Sequence, residues 1–416
     1  MHLPPPGSHP TAPPQSSGNR GGGLQFIARR GRRPDEVATL TLFWISVLLI
    51  GYSQVGYPIL IRAWAARRPR PDDRRESDPS VSVLVVAHNE AARIEGRIAN
   101  LLQLDYPPER LEIVVGSDGS TDDTAALARS YERAGVRVFA FHRRRGKTAV
   151  LNELVPRCRG EIVVFADARQ RFEAGALRAL VRRFADGRVG AAGGELVLAR
   201  DGGTTAVAAG VGIYWRFEKS IRLSESLVDS TVGATGAIYA IRRDLFDPIP
   251  DDTILDDVLI PMRLVRQGYR VVFEPGAIAY DRPASLAREE FVRKVRTIAG
   301  NFQLFARERW MMSPFENRLW IQTLSHKGLR LLGPFLLILV LLTNLLLARR
   351  AFYDWTLVAQ ALFYVSALFG RLEGPARKIP LIAVPYTICL LNWATIVAFL
   401  HFLGGRQRVT WQRVGV

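Results

Sequence analysis

Four apolar runs bracket one long polar stretch, and this pattern limits what the chain can fold into more than any other feature. The first run, about Val37 to Trp64, carries no charge from Ala38 to Ile61. A helix needs about 20 such residues to cross a hydrocarbon core. Leu329 to Leu347, Phe352 to Phe369 and Ile379 to Phe402 follow near the other end. The run from Phe352 is the weakest, because Asp354, Gln360 and Ser366 interrupt it, although Tyr353 and Trp355 suit an interfacial belt. The expected organisation is a disordered Pro/Gly-rich segment over 1–36, a first span over 37–64, a folded domain over 78–303, an interfacial segment over 304–328, three spans over 329–403 and a basic tail over 404–416. The interfacial reading rests on Trp310, Met311, Met312, Phe315 and Trp320 mixed with Arg307, Arg309 and Arg318.

The polar stretch alternates short β-branched runs with helical patterns, as a parallel α/β sheet requires. Strands are expected at Val81–Val86, Leu111–Gly116, Arg137–Phe141 and Glu161–Phe165. Helices are expected at Glu90–Leu102, Thr121–Arg133 and Lys147–Val155, the second opened by Ser120 and Asp123 in a capping box. Three of the strands run into polar, acidic motifs: Ala87-His88-Asn89-Glu90, Ser117-Asp118-Gly119-Ser120-Thr121-Asp122 and Phe165-Ala166-Asp167-Ala168-Arg169. A fourth motif, Leu255-Asp256-Asp257-Val258, opens a later helix. Parallel sheets bind ligands at the carboxyl ends of their strands. Carboxylates gathered there repel one another unless a cation sits among them, and a divalent metal carrying a diphosphate meets that need.

The formal net charge of +17 comes mostly from arginine, since Lys147, Lys219, Lys294, Lys327 and Lys378 are the only lysines. No zinc-finger spacing or aromatic-basic RNA motif accompanies it, so nucleic acid is not an expected partner. Arginines beside the spans instead suit anionic lipid headgroups. Arg62, Arg67, Arg68, Arg70, Arg74 and Arg75 follow the first span, against Arg29, Arg30, Arg32 and Arg33 before it. That bias, with the loop Arg371–Lys378, puts the domain in the cytoplasm of a plasma-membrane protein, while Arg406, Arg408 and Arg413 oppose it. Cys158 and Cys389 lie too differently, one in the domain and one in a span, to pair as a disulfide.

In this order, the motifs resemble those of the membrane-bound family 2 glycosyltransferases, which include cellulose, hyaluronan and poly-N-acetylglucosamine synthases. The resemblance covers roughly Ser80 to Gln303. It implies a glycosyltransferase A-type α/β fold, a Rossmann-like mixed sheet that binds a nucleotide sugar, with flanking transmembrane helices. His88, Asn89 and Glu90 match the first donor-binding motif, with His88 where the family carries a tyrosine that stacks on uracil. Asp118 matches the aspartate that accepts from the uracil N3–H, and Lys147 in Arg145-Gly146-Lys147 matches a phosphate-binding lysine.

Asp167 occupies the first aspartate of the metal motif, but Arg169 replaces the second. One carboxylate and the diphosphate can still hold Mg²⁺ or Mn²⁺, and Arg169 is an alternative phosphate contact. Asp257 stands at the catalytic-base position beside Asp256, with Gly236 and Tyr239 on the acceptor side. Arg296 matches the arginine of the Gln-X-X-Arg-Trp motif, facing the diphosphate, while Arg293 and Thr297 replace the glutamine and tryptophan. Processive synthesis is therefore left open.

The expected activity is inverting transfer from a UDP-sugar to a membrane-associated polysaccharide or lipid-linked acceptor, with an oligomer or partner subunit as a further possibility. Two alternatives stay open: transfer to polyprenyl phosphate, and an inactive membrane scaffold that binds nucleotide sugars.

Overall fold

The computed structural model describes residues 33–69, 78–198, 206–281, 287–372 and 379–405. The expected disordered N-terminus, Arg70, Arg74 and Arg75, most of the 371–378 loop and the basic tail lie outside those residues.

The strands are β1 (Val81–Ala87), β2 (Leu111–Asp118), β3 (Arg137–Phe141), β4 (Ile162–Asp167), β5 (Arg171–Phe172), β6 (Val189–Leu198), β7 (Ile238–Arg242) and β8 (Arg270–Asp281). They form one sheet in the order β3-β2-β1-β4-β7-β6-β8-β5. Strands β3, β2, β1 and β4 run parallel, β7 is antiparallel to both its neighbours, and β6 and β8 are parallel again. The sheet is thus mixed, as the resemblance implies. Register is level across β2, β1 and β4: Val86 lies opposite both Gly116 and Asp167. Asp118 and Asp167 therefore end two strands that flank β1, roughly 10 Å apart at the usual strand spacing.

Strand residues alternate between two cores because successive side chains point to opposite faces. Val81, Val83 and Val85 of β1 enter the first core with α2 (Ala91–Leu102) and α5 (Ala176–Val181). Leu84 enters the second with α4 (Lys147–Leu154) and α7 (Asp256–Arg266). Burial on both faces explains why β1 reads as an unbroken apolar run.

Helix α3 (Thr124–Arg129) begins three residues later than expected. Asp122 Oδ1 caps its Thr124 N–H at 3.1 Å, while Asp122 Oδ2 accepts from Ala91 N at 3.2 Å. Ser120, the expected cap, accepts instead from Asn89 N at 3.2 Å. The loops after β1 and β2 compete successfully for these side chains, so the capping box does not form.

Among the described residues, four helices are long and apolar enough to cross a membrane: α1 (Pro34–Ala65), α9 (Trp320–Leu346), α10 (Ala351–Phe369) and α11 (Pro380–Leu403). Phe43 of α1 packs with Val340 of α9 and Tyr353 of α10, while Leu48, Leu346, Leu362 and Leu381 face outward. The domain docks on the bundle through two helices, α6 (Ala206–Val228) and α8 (Ala287–Arg307). Ile221 of α6 packs on Tyr57 and Ile61, and Val295 and Ala299 of α8 pack on Ala394 and Ala398.

The stretch expected to lie along the membrane differs from that expectation. Trp310, Met311 and Leu319 are buried in the second core of the domain, and Trp320 already starts α9. They pack against Val258, Leu259 and Met262 of α7 rather than facing lipid, and Phe315 and Ile321 are the large apolar side chains of the stretch that stand exposed.

Candidate active site

The ends of β1 and β2 are bound to one another before any ligand is considered. His88 Nδ1 lies 2.7 Å from the Asp118 carbonyl, so Nδ1 donates and Nε2 is left as an acceptor. Asn89 adopts a positive φ of 54° and its Oδ1 accepts from Thr121 N at 2.8 Å. Glu90 pairs with Arg93 at 2.7 Å. Asp118 is buried, and its two oxygens accept from Arg145 N at 2.6 Å and Gly146 N at 2.9 Å. Gly146 needs its φ of +97°, which other residues rarely adopt, to turn the chain into α4. Asp118 therefore fixes the segment that delivers Lys147.

Lys147 Nζ reaches Asp167 at 3.2 Å and Asp256 at 3.2 Å, joining a strand end to the start of α7. Burial works to lower this ammonium, but Asp167, Asp256 and Asp257 outweigh it and hold it charged far above neutrality. Arg296 of α8 faces the same three carboxylates, although burial pulls its guanidinium below its ordinary value. Arg97, which sequence reasoning missed, is buried with its guanidinium 4.0 Å from the Phe172 ring. Burial lowers it to about 9 against the pull of Asp167.

Asp257 is the group whose chemistry the surroundings change most usefully. Burial first, then the neighbouring Asp256 charge, push its carboxyl up to about 6, against Lys147, Lys327 and Arg222. A half-buried carboxylate tuned near neutrality, still open to a substrate, is suited to take a proton. Gly236 lies against it: a Cβ there would stand 2.8 Å from Asp257 Oδ2. Tyr239, stacked on Phe165 at 4.5 Å, donates to Asp256 Oδ2 at 3.2 Å. Gly236, Tyr239, Asp256 and Asp257 thus meet Lys147, Asp167 and Arg296 at one place.

Arg169 turns away from that place. Its Nη2 pairs with the buried Asp281, at the end of β8, at 2.6 Å. No group of three His, Cys, Asp or Glu that could hold a metal occurs among the described residues. Asp167 alone fits a divalent cation that draws its other ligands from diphosphate oxygens, as Mg²⁺ commonly does.

Sequence reasoning also missed Arg222, whose Nη1 donates to Thr235 at 2.7 Å beside Gly236. No motif marks it. Helical spacing does carry a weak signal, since Glu218, Arg222 and Glu225 share one face of α6.

Residues 82–249 match the model of the Glycosyl transferase family 2. The chain is 32% identical over 178 residues to a beta-monoglucosyldiacylglycerol synthase of Nostoc sp., which covers 39% of this chain and 38% of that protein. It is 22% identical to a poly-beta-1,6-N-acetyl-D-glucosamine synthase of Staphylococcus aureus over 65% of this chain and 64% of the relative. The matched stretches therefore span less than two thirds of either relative. Among solved structures, the mannosyltransferase PcManGT of Pyrobaculum calidifontis, in complex with GDP-Man and Mn²⁺, superposes with a TM-score of 0.66 at 25% identity. That likeness covers 88% of this chain and 99% of the mannosyltransferase. Residues 82–249 are thus a family 2 glycosyltransferase domain, set in a fold shared with that mannosyltransferase.

Proposed function

We propose that the chain is an inverting glycosyltransferase that moves a sugar from a UDP-sugar to a membrane-associated acceptor, a growing polysaccharide or a lipid-linked sugar. The observation that carries this reading is the half-buried Asp257, raised to about 6, beside the Lys147 bridge between Asp167 and Asp256. The acceptor hydroxyl gives its proton to Asp257 as its oxygen attacks the anomeric carbon from the face opposite the diphosphate. The bond from that carbon to the phosphate oxygen breaks, and its electron pair leaves with the nucleoside diphosphate. Lys147 and Arg296 neutralise the charge that develops there. Mg²⁺ or Mn²⁺ held by Asp167 and the diphosphate would add to that neutralisation.

On the base side, His88, Asn89 and Glu90 form one wall, and Asp118 keeps unused lone pairs for the uracil N3–H. A second reading of the donor, GDP-mannose, draws support from the archaeal mannosyltransferase, whose length the chain matches almost completely. The four apolar helices support a multi-pass protein of the plasma membrane, with the domain in the cytoplasm where nucleotide sugars are made.

Purified full-length protein in detergent, offered a panel of labelled UDP- and GDP-sugars with and without Mn²⁺, tests the reading. Asp257→Asn is expected to keep donor affinity and lose transfer by about 10²–10⁴-fold, the usual share of a general base. Turnover at the wild-type rate in that variant would remove Asp257 from the chemistry, and binding without turnover in the wild type would favour the scaffold.

A further inference from the structure

Cations approach Asp257 from two sides, and the two sides differ. Lys147, at the sheet edge, and Arg296 of α8 are the pair assigned above to the leaving diphosphate. Arg222 of α6 and Lys327 stand on the membrane side, and both pull against the burial that lifts Asp257. Lys327 lies in the π-helical turn Thr323–Gly328, inside the first turns of α9.

A buried chain of hydrogen bonds builds this second side. His326, next to Lys327, meets Glu218 through Nε2 at 2.9 Å and Glu225 through Nδ1 at 2.9 Å. Arg330 and Arg222 reach the same Glu218 at 2.9 Å and 3.3 Å. Arg222 then donates to Thr235, one residue before the Gly236 that lies against Asp257. Tyr57 of α1 donates to Glu225 Oε1 at 2.5 Å.

Two groups in this cluster have unmet demands of opposite kind. Glu225 is fully buried, and its Oε2 has no hydrogen-bond partner among the described residues. Lys327 shares its surroundings with Arg222, Glu218, Asp257 and Glu225, yet makes no hydrogen bond or ion pair with any described residue. Glu218 is already engaged by His326, Arg222 and Arg330, and Glu225 Oε1 by Tyr57 and His326, and neither carboxylate pairs with Lys327. A partly buried cation without a hydrogen-bonding partner is costly unless something of opposite sign joins it. A ligand bringing an anion to Lys327 and a hydroxyl to Glu225 completes both demands, and Lys327 lies in the first turns of an apolar helix long enough to cross a membrane.

We propose that this cluster is the acceptor site, and that the acceptor is a phosphate-bearing lipid with free hydroxyls. Its phosphoryl oxygens take Lys327 and Arg222, one hydroxyl donates to Glu225, and another faces Asp257. This rests on the glycosyltransferase reading above and narrows its acceptor. The step keeps the same balance: the hydroxyl proton passes to Asp257, the new bond forms at the anomeric carbon, and the nucleoside diphosphate leaves with the electron pair.

The test uses the full chain in phosphatidylcholine nanodiscs with the labelled nucleotide sugar found by the panel. Phosphatidylglycerol, diacylglycerol and polyprenyl phosphate are offered separately as acceptors. Phosphatidylglycerol is expected to be glycosylated at least tenfold more efficiently than diacylglycerol, which carries a hydroxyl but no phosphate. Glycerol 3-phosphate should inhibit and glycerol should not, which separates the anion from its lipid source. Lys327→Gln should raise the KM for phosphatidylglycerol at least tenfold with donor affinity within twofold, and Lys327→Arg should recover most of the loss. Equal use of phosphatidylglycerol and diacylglycerol by the wild type overturns the proposal without recourse to any variant. So does preferential use of polyprenyl phosphate that survives Asp257→Asn, because the phosphate would then be the nucleophile itself. Failure of every nucleotide sugar to bind sinks the glycosyltransferase reading first and this one with it, whereas donor turnover without phosphate selectivity sinks this one alone.

Discussion

Asp256 and Asp257 are neighbours in the chain with opposite surroundings. Asp256 accepts from Tyr239 and pairs with Lys147, so its charge is used where it stands. Asp257 is half-buried and feels that charge as repulsion, which with its loss of solvent lifts it to about 6. Only the ionised form of a general base accepts a proton, so kcat/KM should rise tenfold per pH step below about 6 and level off above it. Asp256→Asn removes the second-largest cause of the shift, so the acid limb should move to lower pH even if the plateau falls. A pH–rate profile of both proteins checks this, reading the pair as one titrating unit. A limb that stays in place in Asp256→Asn means another group controls the rate. The two aspartates were legible in the sequence through their motif, and their unequal surroundings were not, because Tyr239, Arg222 and Lys327 come from distant elements.

At the scale of elements, α8 does more than carry Arg296. Its Gln303 Oε1 accepts from Ile254 N at 3.1 Å and its Nε2 donates to Asp252 O at 2.9 Å. Arg307, one turn on, holds the Asp252 carboxylate at 2.6 and 2.5 Å. The loop that opens α7, and so aims Asp257, is thus clamped to a helix that is itself packed on α11. Gln303→Ala strands the Ile254 N–H in a buried place, a loss of about 1–3 kcal/mol. Gln303→Glu keeps the acceptor but sets an oxygen against the Asp252 carbonyl, so its thermal midpoint in detergent should fall at least as far as that of the alanine variant. A midpoint unchanged in both would show that the loop does not depend on this clamp. Strands β1, β2, β3 and β4 and the helices between them were readable because local runs of β-branched residues and turn signals agree with the final sheet. The second half of the sheet was harder. Strands β6, β7 and β8 pair out of chain order, and α6 carries no motif and earns its place by packing on α1.

For the molecule as a whole, the bundle has two distinguishable ends. At one end Glu36, at the start of α1, pairs with Arg350, in the turn between α9 and α10, at 2.5 Å. At the other end Tyr52 meets Ser325 at 2.8 Å and Tyr57 reaches Glu225 of the domain. Helices α1 and α9 therefore run antiparallel, with the domain between them in sequence and on one side in space. If all four helices cross, the turn at Arg350 must lie on the opposite face of the membrane from the domain. The arginines at the domain end of α1, Arg62, Arg67 and Arg68, favour the cytoplasm for that side. Two exposed positions separate the possibilities: Glu109 in the domain and Ala351 at the start of α10. In a chain with Cys158 and Cys389 replaced by alanine, a membrane-impermeant maleimide applied to intact spheroplasts should label Ala351→Cys and spare Glu109→Cys. Permeabilised spheroplasts should give both. Labelling of Glu109→Cys before permeabilisation would put the domain outside, away from any nucleotide sugar, and the donor reading would fall with the topology.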